Sequence, residues 1–372
     1  MAEKFSLNDH LFNPRSVGQL ASEYAAGVPG FDVSKFEADA LAGFADRGLL
    51  ERLDWIATCI GAQLSPEFEA MADQLEAAMP ARLDPELRDD DFGQFIHAVP
   101  GILAVRHGLE DHRDRALDLI HAGTQRFSME FYIRPFLNRW PEETLARLAL
   151  WARDDNYHVR RLVSEGTRPK LPWAKAVKLV PDQALPLLDM LHADNTRYVT
   201  RSVANHLNDL SKTVPEQVLE RLAAWGKQEG QNAKEMAWMT RHALRTLIKQ
   251  GQSGAMTALG YRHDVEVAAE LQLSAETVQI GDVLAFDCIL TTKSAAPLLI
   301  DYRIEFARAE GKTAQKVFKL KVAKTQAGVP LTVKKTHRMK GDATTFRLYP
   351  GAHRVIVQVN GRDVAEAGFV LA

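Results

Sequence analysis

Two glutamates in the middle of the chain have the residue type and the surroundings for chemistry. Glu130 lies between Met129 and Phe131, among apolar residues, on a segment predicted to be helical. Glu165 follows Arg161 by four residues, so both side chains point the same way from one predicted helix. A carboxylate in apolar surroundings near arginines can stabilise cationic charge or orient a water molecule.

Each glutamate also has a purely structural interpretation. Glu165 would form an ordinary ion pair with Arg161 across one helical turn. Glu130 would be a buried acid that pairs with Arg126 or Arg134. The residue pattern leaves both interpretations open.

Trp173 ends a short loop that two prolines stiffen. The loop, residues 169–173, reads PKLPW, and each proline fixes one backbone angle. A rigid aromatic wall beside a bound molecule is one interpretation of Trp173, and a cap on an apolar core is the other.

Other familiar catalytic patterns are missing from the sequence. It contains no glycine-rich phosphate loop, no HExxH and no GxSxG, and its 12 histidines do not cluster at metal-ligand spacing. The two cysteines, Cys59 and Cys288, are too few and too far apart for a disulfide framework or a zinc cluster. We therefore predict no metal site and no cofactor.

Targeting signals are also missing. The first residues, MAEKFSLNDHLFNP, contain no apolar run that could serve as a signal peptide, and no stretch approaches the roughly 18 apolar residues of a membrane span. We expect a soluble, cytoplasmic protein that is not bound to membranes.

Charge is distributed unevenly along the chain, although the formal net charge is only −2. Residues 1–100 carry 7 Lys and Arg against 18 Asp and Glu, residues 101–261 carry 23 against 18, and residues 262–372 carry 16 against 12. A polyanion would be attracted to the middle and the end and repelled by the beginning. Alternating acidic and basic solvated faces would give the same distribution.

The chain changes character near residue 261. Before it, apolar residues recur at spacings of three and four, as in 145–151, and proline marks three helix starts, at Pro141, Pro181 and Pro215. After it, alternating runs such as 316–322 and 355–359 predict strands. We therefore predict a helical domain over residues 1–261 and a β domain over residues 262–372.

The helical part contains an internal repeat of about 40 residues. A three-residue pattern recurs at this interval and ends in Arg161, Arg201 and Arg241. Upstream of each copy lies an amphipathic helix, at 142–151, 182–191 and 216–225, and Asp155-Asn156 and Asp194-Asn195 fit the start of the following helix. Two helices in about 40 residues are typical of HEAT-like repeats, which stack into a curved solenoid.

The three repeated arginines have two interpretations. On the inner helices of a solenoid they would form a stripe that binds phosphates along a nucleic-acid backbone. As structural groups they would instead pair with Asp154, Asp155 or Asp194.

The β part fits an immunoglobulin-like sandwich of seven strands that lacks the usual disulfide. Its lysines could contact phosphates, or they could protect edge strands from aggregation. They and the neighbouring arginine are Lys316, Lys319, Lys321, Lys324, Lys334, Lys335, Arg338 and Lys340.

Three segments carry a resemblance to a known family. They are RFSMEFYIRPFL (126–137), WARDDNYHVRRLVSEGTRP (151–169) and SVANHLNDLSK (202–212). Here, and over nearly the whole chain, the sequence resembles the AlkC-type alkylpurine DNA glycosylases, which stand beside the AlkD type among HEAT-like-repeat DNA glycosylases. The fold class it implies is mainly α, a right-handed solenoid of HEAT-like repeats followed by an immunoglobulin-like β-sandwich.

The resemblance implies a function as well as a fold. It implies hydrolysis of the N-glycosidic bond of N3-alkylated bases, chiefly 3-methyladenine and 3-methylcytosine, in double-stranded DNA without full flipping of the base. Glu130 and Glu165 would be the catalytic carboxylates facing the lesion deoxyribose. The residues expected to contact the lesion or the DNA, with the stripe arginines included, are Phe131, Arg161, Arg168, Trp173, Arg201, Asn205, His206, Lys212 and Arg241.

Two other functions remain open at this stage. One is a non-catalytic HEAT-repeat scaffold, and the other is a DNA-binding module that has lost its activity. A glycosylase would need no metal, because an N3-alkylated base is cationic and already a good leaving group, so stabilising charge on the sugar and placing a water suffice. We expect the protein to act as a monomer.

Overall fold

A computed structural model describes residues 6–87, 89, 91–343 and 346–372 of the chain. The described residues form 16 α-helices and eight β-strands. The chain divides into two compact units, one containing the residues up to 210 with Gln228–Met239, and the other containing Ser211–Lys227 with Thr240–Ala372. No helix among the described residues is long and apolar enough to cross a membrane.

Most of the helices belong to the first unit. They are α1 (Leu7–Leu11), α2 (Pro14–Gly27), α3 (Val33–Ala42), α4 (Leu49–Gly61), α5 (Phe68–Ala77), α6 (Val99–Gly108), α7 (Arg113–Thr124), α8 (Ile133–Arg139), α9 (Pro141–Trp151), α10 (Tyr157–Gly166), α11 (Pro181–Leu191) and α12 (Arg197–Leu210). Helices α13 (Pro215–Trp225), α15 (Arg245–Lys249) and α16 (Ser253–Ala258) belong to the second, and α14 (Ala233–Ala243) begins in the first and ends in the second.

The predicted 40-residue repeat is confirmed by the helix bounds. Helices α9, α11 and α13 each have proline in the first position, where the missing N–H has no intrahelical partner to lose. Each is followed by a second helix, namely α10, α12 and α14. The prolines and the apolar spacing therefore predicted both the number and the order of these helices.

Helices α10 and α12 lie side by side, α9 packs against α10, and α11 packs against α9, α10 and α12. Asn156 starts α10, because its side chain accepts a hydrogen bond of 2.9 Å from the backbone N–H of His158. Val159 and Leu162 on α10 and Val203 on α12 are fully buried, and burying such a side chain contributes roughly 1.5–3 kcal/mol. This packing fixes the two helices that carry most of the candidate residues.

The β-strands form two sheets. They are β1 (Val267–Leu273), β2 (Thr277–Val278), β3 (Val283–Thr292), β4 (Ala296–Ala307), β5 (Thr313–Thr325), β6 (Leu331–Arg338), β7 (Gly351–Val359) and β8 (Arg362–Leu371). The three-stranded sheet has the order β1-β3-β6 and the five-stranded sheet the order β2-β8-β7-β4-β5. The predicted sandwich is confirmed, but the prediction of seven strands is wrong because β2, with two residues, is too short to show an alternating pattern.

Most of the basic residues of the sandwich lie on edge strands. Four of the predicted lysines are on β5 and two are on β6, and each of these strands ends its sheet. Lys334 on β6 pairs with Asp287 of the neighbouring β3 at 2.7 Å. This placement favours protection of the edges as the main physical role of the lysines.

The last helices pack onto the sandwich within the second unit. Met256 and Tyr261 form a small buried cluster with Leu299 of β4. Asn360 joins its own turn to two other segments. Its side chain donates a hydrogen bond of 2.8 Å to the carbonyl of Arg262 and accepts one of 2.8 Å from the N–H of Leu299. The domain boundary between residues 261 and 262 stays a prediction, and this compact unit extends to both sides of it.

Candidate active site

Glu130 lies in a turn between α7 and α8, and the prediction that it lies on a helix is wrong. The chain leaves the helix after Thr124, and the Thr124 hydroxyl accepts a hydrogen bond from the N–H of Met129. Ser128 then donates 2.8 Å to a carboxylate oxygen of Glu130. Such local polar contacts compete with helix formation, which explains why the apolar pattern was misleading here.

Arg161 of α10 lies between the two candidate carboxylates. One of its terminal nitrogens contacts Glu130 Oε2 and donates 2.7 Å to Ser128 Oγ, while the other is 3.6 Å from Glu165 Oε2. Its guanidinium also lies over the ring of Tyr198, 4.9 Å from the centroid. The alternative that Glu130 pairs with Arg126 or Arg134 is therefore wrong.

Glu165 is the buried member of the pair, with 7% of its side chain exposed. It has three partners. Arg168 donates a hydrogen bond of 2.5 Å to Oε1, Ser202 donates one of 2.6 Å to Oε2, and Arg161 lies close to the same Oε2. Arg168 in turn donates 2.9 Å to Asp209 Oδ2. The result is a chain of three carboxylates and two guanidinium groups, with Glu130 at one end and Asp209 at the other.

Burial and the neighbouring charges act in opposite directions on the pKa values of Glu165 and Arg161. Burial acts to raise the pKa of Glu165, but the charges of Arg161 and Arg168 and the Ser202 hydrogen bond outweigh it and hold the pKa below its usual value. Burial likewise acts to lower the pKa of Arg161, and the carboxylates of Glu130 and Glu165 hold it above the usual value. The Glu165–Arg161 pair is therefore ionised throughout the neutral range.

One face of α12 completes the chain of charges. Ser202, His206 and Asp209 follow the spacing that places side chains on one side of a helix. His206 is fully buried, lies 3.1 Å from the carbonyl of Ser164 through Nδ1, and has a pKa lowered to about 4 by burial. In this structure the imidazole has no exposed surface and joins α12 to α10, so a contact between His206 and DNA stays a prediction.

Ser202 and Asp209 were missed as site residues. Both lie inside the segment 202–212, and the helical spacing that they share with His206 was the available signal. Tyr198, whose ring carries Arg161, has the same helical relationship to Ser202 four positions on. The site therefore uses a continuous face of α12 and not only Arg201 and Asn205.

The two aromatic candidates lie in different connecting segments. Phe131 follows Glu130 in the same turn and is half-buried. Trp173 lies in the long loop after α10, 69% exposed and with a φ of 65°. The alternative that Trp173 caps a core is wrong, and its exposed ring is available to a bound molecule.

The three repeated arginines differ in surroundings. Arg161 is ion-paired as described, and Arg201 donates 2.9 and 2.5 Å to the two carboxylate oxygens of Asp89. Arg241, at the third repeat position, is exposed. The aspartates proposed as structural partners, 154, 155 and 194, are contacted by Arg160 instead, through two backbone carbonyls and the Asp194 carboxylate.

Two candidates remain to be placed. Asn205 is half-buried on α12, and Lys212 is exposed immediately after that helix. No group of three or more His, Cys, Asp or Glu side chains among the described residues could hold a metal ion. The chemistry available to the described site is that of carboxylates, guanidinium groups and positioned water.

The arrangement is suited to stabilising positive charge. Carboxylates that are held in place by hydrogen bonds need no reorganisation when charge develops beside them, and they act most strongly where water is scarce. Glu130, with 20% of its side chain exposed, is the more accessible of the two. Glu165 is the more deeply buried of the two, and Arg161 contacts both carboxylates.

Comparisons with known proteins identify relatives of this chain. Residues 267–372 match the family described as "Uncharacterised protein YhaZ, C-terminal Ig-like domain". The chain is 30% identical over 360 residues to "Uncharacterized protein YhaZ" of Bacillus subtilis (strain 168). This match covers 94% of this chain and 95% of the relative.

A solved structure extends the similarity to the whole fold. It is described as "Pseudomonas fluorescens alkylpurine DNA glycosylase AlkC bound to DNA containing an abasic site analog", and it has a TM-score of 0.86 and 33% sequence identity. The match covers 99% of this chain and 100% of that one. From the extent of these matches, the chain belongs to the AlkC family of HEAT-like-repeat DNA glycosylases, which also includes YhaZ.

Proposed function

We propose that this protein is a DNA glycosylase that hydrolyses the N-glycosidic bond of N3-alkylated bases, 3-methyladenine and 3-methylcytosine, in double-stranded DNA. The observation that carries the proposal is the position of Arg161 between Glu130 and Glu165, in a chain of charges largely shielded from water. Membership of the AlkC family supports the reaction class, and the lesion-containing duplex is the proposed partner.

The reaction needs little from the protein beyond charge and position. An N3-alkylated base carries a positive charge and becomes neutral when it departs with the electron pair of the glycosidic bond. Positive charge then develops on the deoxyribose, and the oxygen of a water molecule bonds to the anomeric carbon and releases a proton. Preorganised carboxylates favour this transition state over the ground state, in which the sugar is uncharged.

The roles of the two glutamates follow from their exposure. Glu130 is the carboxylate that a deoxyribose or a water molecule can approach, because part of its side chain reaches the surface. Glu165 contributes its negative charge from behind and keeps Arg161 and Arg168 in place. Both are catalytic carboxylates in this proposal, and no metal or cofactor takes part.

Contacts to the lesion and to the backbone come from other side chains. Phe131 and Trp173 are proposed to line the lesion, and Trp173 has the exposed ring that such a contact needs. Arg241 and Lys212, both exposed, are proposed to contact phosphates. A protein with this task would act in the cytoplasm, at the nucleoid.

Base release from methylated DNA tests the proposal. Purified protein is incubated with duplex DNA treated with a methylating agent, with and without EDTA, and the released bases are separated by chromatography. Release of 3-methyladenine or 3-methylcytosine at the same rate with EDTA is the expected result. Binding to the duplex without base release would favour a DNA-binding module without activity, and neither binding nor release would favour a scaffold.

A further inference from the structure

The segment between α10 and α11 is the longest connection within the repeats. It runs from residue 167 to residue 180 without a helix or strand, whereas α12 follows α11 after five residues. Loops of this length without secondary structure are uncommon in compact domains and are usually functional. This segment carries Arg168 and Trp173, two residues of the proposed site.

The backbone at Trp173 needs outside support. Its φ of 65° is in the left-handed region, which residues other than glycine adopt at a cost of about 1–3 kcal/mol. Its side chain is largely exposed and so gains little by packing. Contacts elsewhere in the loop must therefore hold this conformation.

Arg134 of α8 supplies four of these contacts. It has no exposed surface, and its guanidinium donates to backbone carbonyls on both sides of the loop. Nη1 donates 3.0 Å to Gly166 and 2.8 Å to Arg168, Nη2 donates 3.1 Å to Pro169, and Nε donates 2.5 Å to Lys175. These carbonyls flank Trp173 in sequence.

Asn138, one turn further along α8, holds the far end of the same loop. Its Nδ2 donates 3.0 Å to the carbonyl of Ala176, and its Oδ1 accepts 2.9 Å from the N–H of Lys178. Residues four apart on a helix lie on one face. One face of α8 therefore ties down the loop from residue 166 to residue 178.

The position of Arg134 also fits the electrostatics of α10. The last carbonyls of a helix have no intrahelical partner and carry partial negative charge. Arg134 donates to this end of α10, whose last residue is Gly166. A Cβ added at Gly166 would lie 2.5 Å from Ile133 Cγ2, so α8 and α10 approach closely at this point.

We propose that Arg134 and Asn138 are positioning residues, which hold the 166–178 loop so that Trp173 is preset to contact the lesion base. This proposal rests on the proposed function of the site and adds residues that touch neither the sugar nor the base. Pre-positioned groups lose less entropy on binding, and a displacement of about 1 Å can lower a rate by roughly 100-fold.

Arginine is suited to this task in a way that lysine is not. Its planar group offers five N–H donors in a fixed fork, whereas lysine offers three on one nitrogen. Arg134→Lys keeps the charge and removes the fork. Arg139→Lys is the matched control, because Arg139 lies on the same helix with its side chain about half exposed.

The position of Trp173 is measured directly in protein without DNA. The six tryptophans are labelled with 5-fluorotryptophan, and the ¹⁹F resonance of Trp173 is assigned with Trp173→Phe. Arg134→Lys and Asn138→Ala are expected to shift or broaden this resonance and to leave those of Trp55, Trp151, Trp225 and Trp238 unchanged. Arg139→Lys is expected to leave the Trp173 resonance unchanged and to alter only that of Trp140, because Arg139 lies 4.0 Å from the centroid of the Trp140 ring. Asn138→Ala keeps the test possible if Arg134→Lys does not fold.

Base release then tests whether Arg134 and Asn138, which together form the loop clamp, act through Trp173. We expect Arg134→Lys to lower the single-turnover rate at saturating DNA by ~10–100-fold, and to have less than a twofold further effect in a Trp173→Ala background. An equal effect in both backgrounds, or an unchanged Trp173 resonance in both clamp variants, would overturn the proposal. If the wild-type protein released no base, the proposed function would fail, and the resonance would still decide whether the clamp holds the loop.

Discussion

The helical region and the β-sandwich each contain an arginine between two glutamates, and the two groups differ in their access to water. Arg161 contacts Glu130 and Glu165 with 14% of its side chain exposed. Arg354 of β7 lies 2.7 Å from Glu305 and 3.3 Å from Glu366, with 47% of its side chain exposed. Both groups place one guanidinium between two carboxylates, but the group around Arg161 is more deeply buried.

This difference decides what each group can do. Water and salt screen an exposed pair, which contributes typically 0–1 kcal/mol to stability. Removing charges from water costs several kcal/mol per ion, so a buried network is an expensive way to stabilise a fold. The buried group is therefore the one in which fixed charges act strongly on a substrate.

Among the variants that compare the two groups, Glu165→Gln should change the rate of base release most. The change removes a negative charge that Arg161, Arg168 and Ser202 all contact, so both the field at the sugar and the position of Glu130 are altered. We expect single-turnover base release to fall by ~100–1,000-fold. The rate of base release from methylated duplex DNA is measured well below the unfolding temperature of the variant. Circular dichroism gives that unfolding temperature.

The pH dependence adds a check on the same residue. Because the pKa of Glu165 is below its usual value, its ionised form contributes stability above the ordinary carboxyl pKa of about 4.3, and this is lost as pH falls through the lower folded value. Base release should accordingly lose no activity through Glu165 between pH 8 and about pH 5. Near-normal base release by both Glu165→Gln and Glu130→Gln would contradict the proposed mechanism.

Glu130→Gln should have the second largest effect. This carboxylate is partly exposed and shares Arg161 with Glu165, so its loss weakens the field without leaving a buried cation unpaired. We expect base release to fall by ~10–100-fold, with the unfolding temperature almost unchanged. A large loss of stability together with normal activity would show that Glu130 is structural.

Asp89→Asn should change DNA binding by a smaller factor and in the opposite direction. Asp89 holds Arg201 through two hydrogen bonds, at the second position of the repeated arginines. Without this carboxylate the guanidinium can pair with a phosphate, so we expect affinity for any duplex to rise by ~3–10-fold and the salt slope to rise by about one unit. Fluorescence anisotropy at several salt concentrations measures both.

Asp84→Asn is the control for Asp89. It removes the same charge from the same acidic segment, and its carboxylate contacts the backbone N–H of Glu86. An equal gain in affinity from both variants would mean that the effect is general charge and not the release of Arg201.

Arg354→Ala should have the smallest effect. It removes the exposed ion pairs of Arg354 with Glu305 and Glu366. We expect the free energy of unfolding to change by less than about 1 kcal/mol, and the rate of base release to stay within about twofold of wild type. Thermal unfolding and the same release assay measure the two quantities. A loss comparable to that of Glu165→Gln would contradict the distinction between the two groups.

The sequence predicted most where the determining interactions are local. Pro141, Pro181 and Pro215 begin their helices as predicted, and Asn156 begins α10. These signals act within a few residues, so one sequence is enough to read them. The alternating runs of the sandwich are of the same kind.

The site was less predictable because its contacts are distant in sequence. Glu130 meets Arg161 31 residues away, and Arg201 meets Asp89 112 residues away. Neither pair follows from helical spacing, and the apolar pattern around Glu130 even predicted the wrong local structure. The glutamates were singled out by their residue type and by the resemblance to a family, while their partners depend on how the helices stack.

The junction around Asn360 bears on how such a protein could have been assembled. Asn360 bonds to the segment at residue 262, and the neighbouring Gly361 packs so closely on Gly251 that a Cβ at either would lie 2.5 or 2.6 Å from the other's carbonyl oxygen. Recombination that transferred residues 267–372 alone would leave Leu299 without the side chains of Met256 and Tyr261 that cover it. We therefore expect gene fusions that preserve the sandwich to begin upstream of α15.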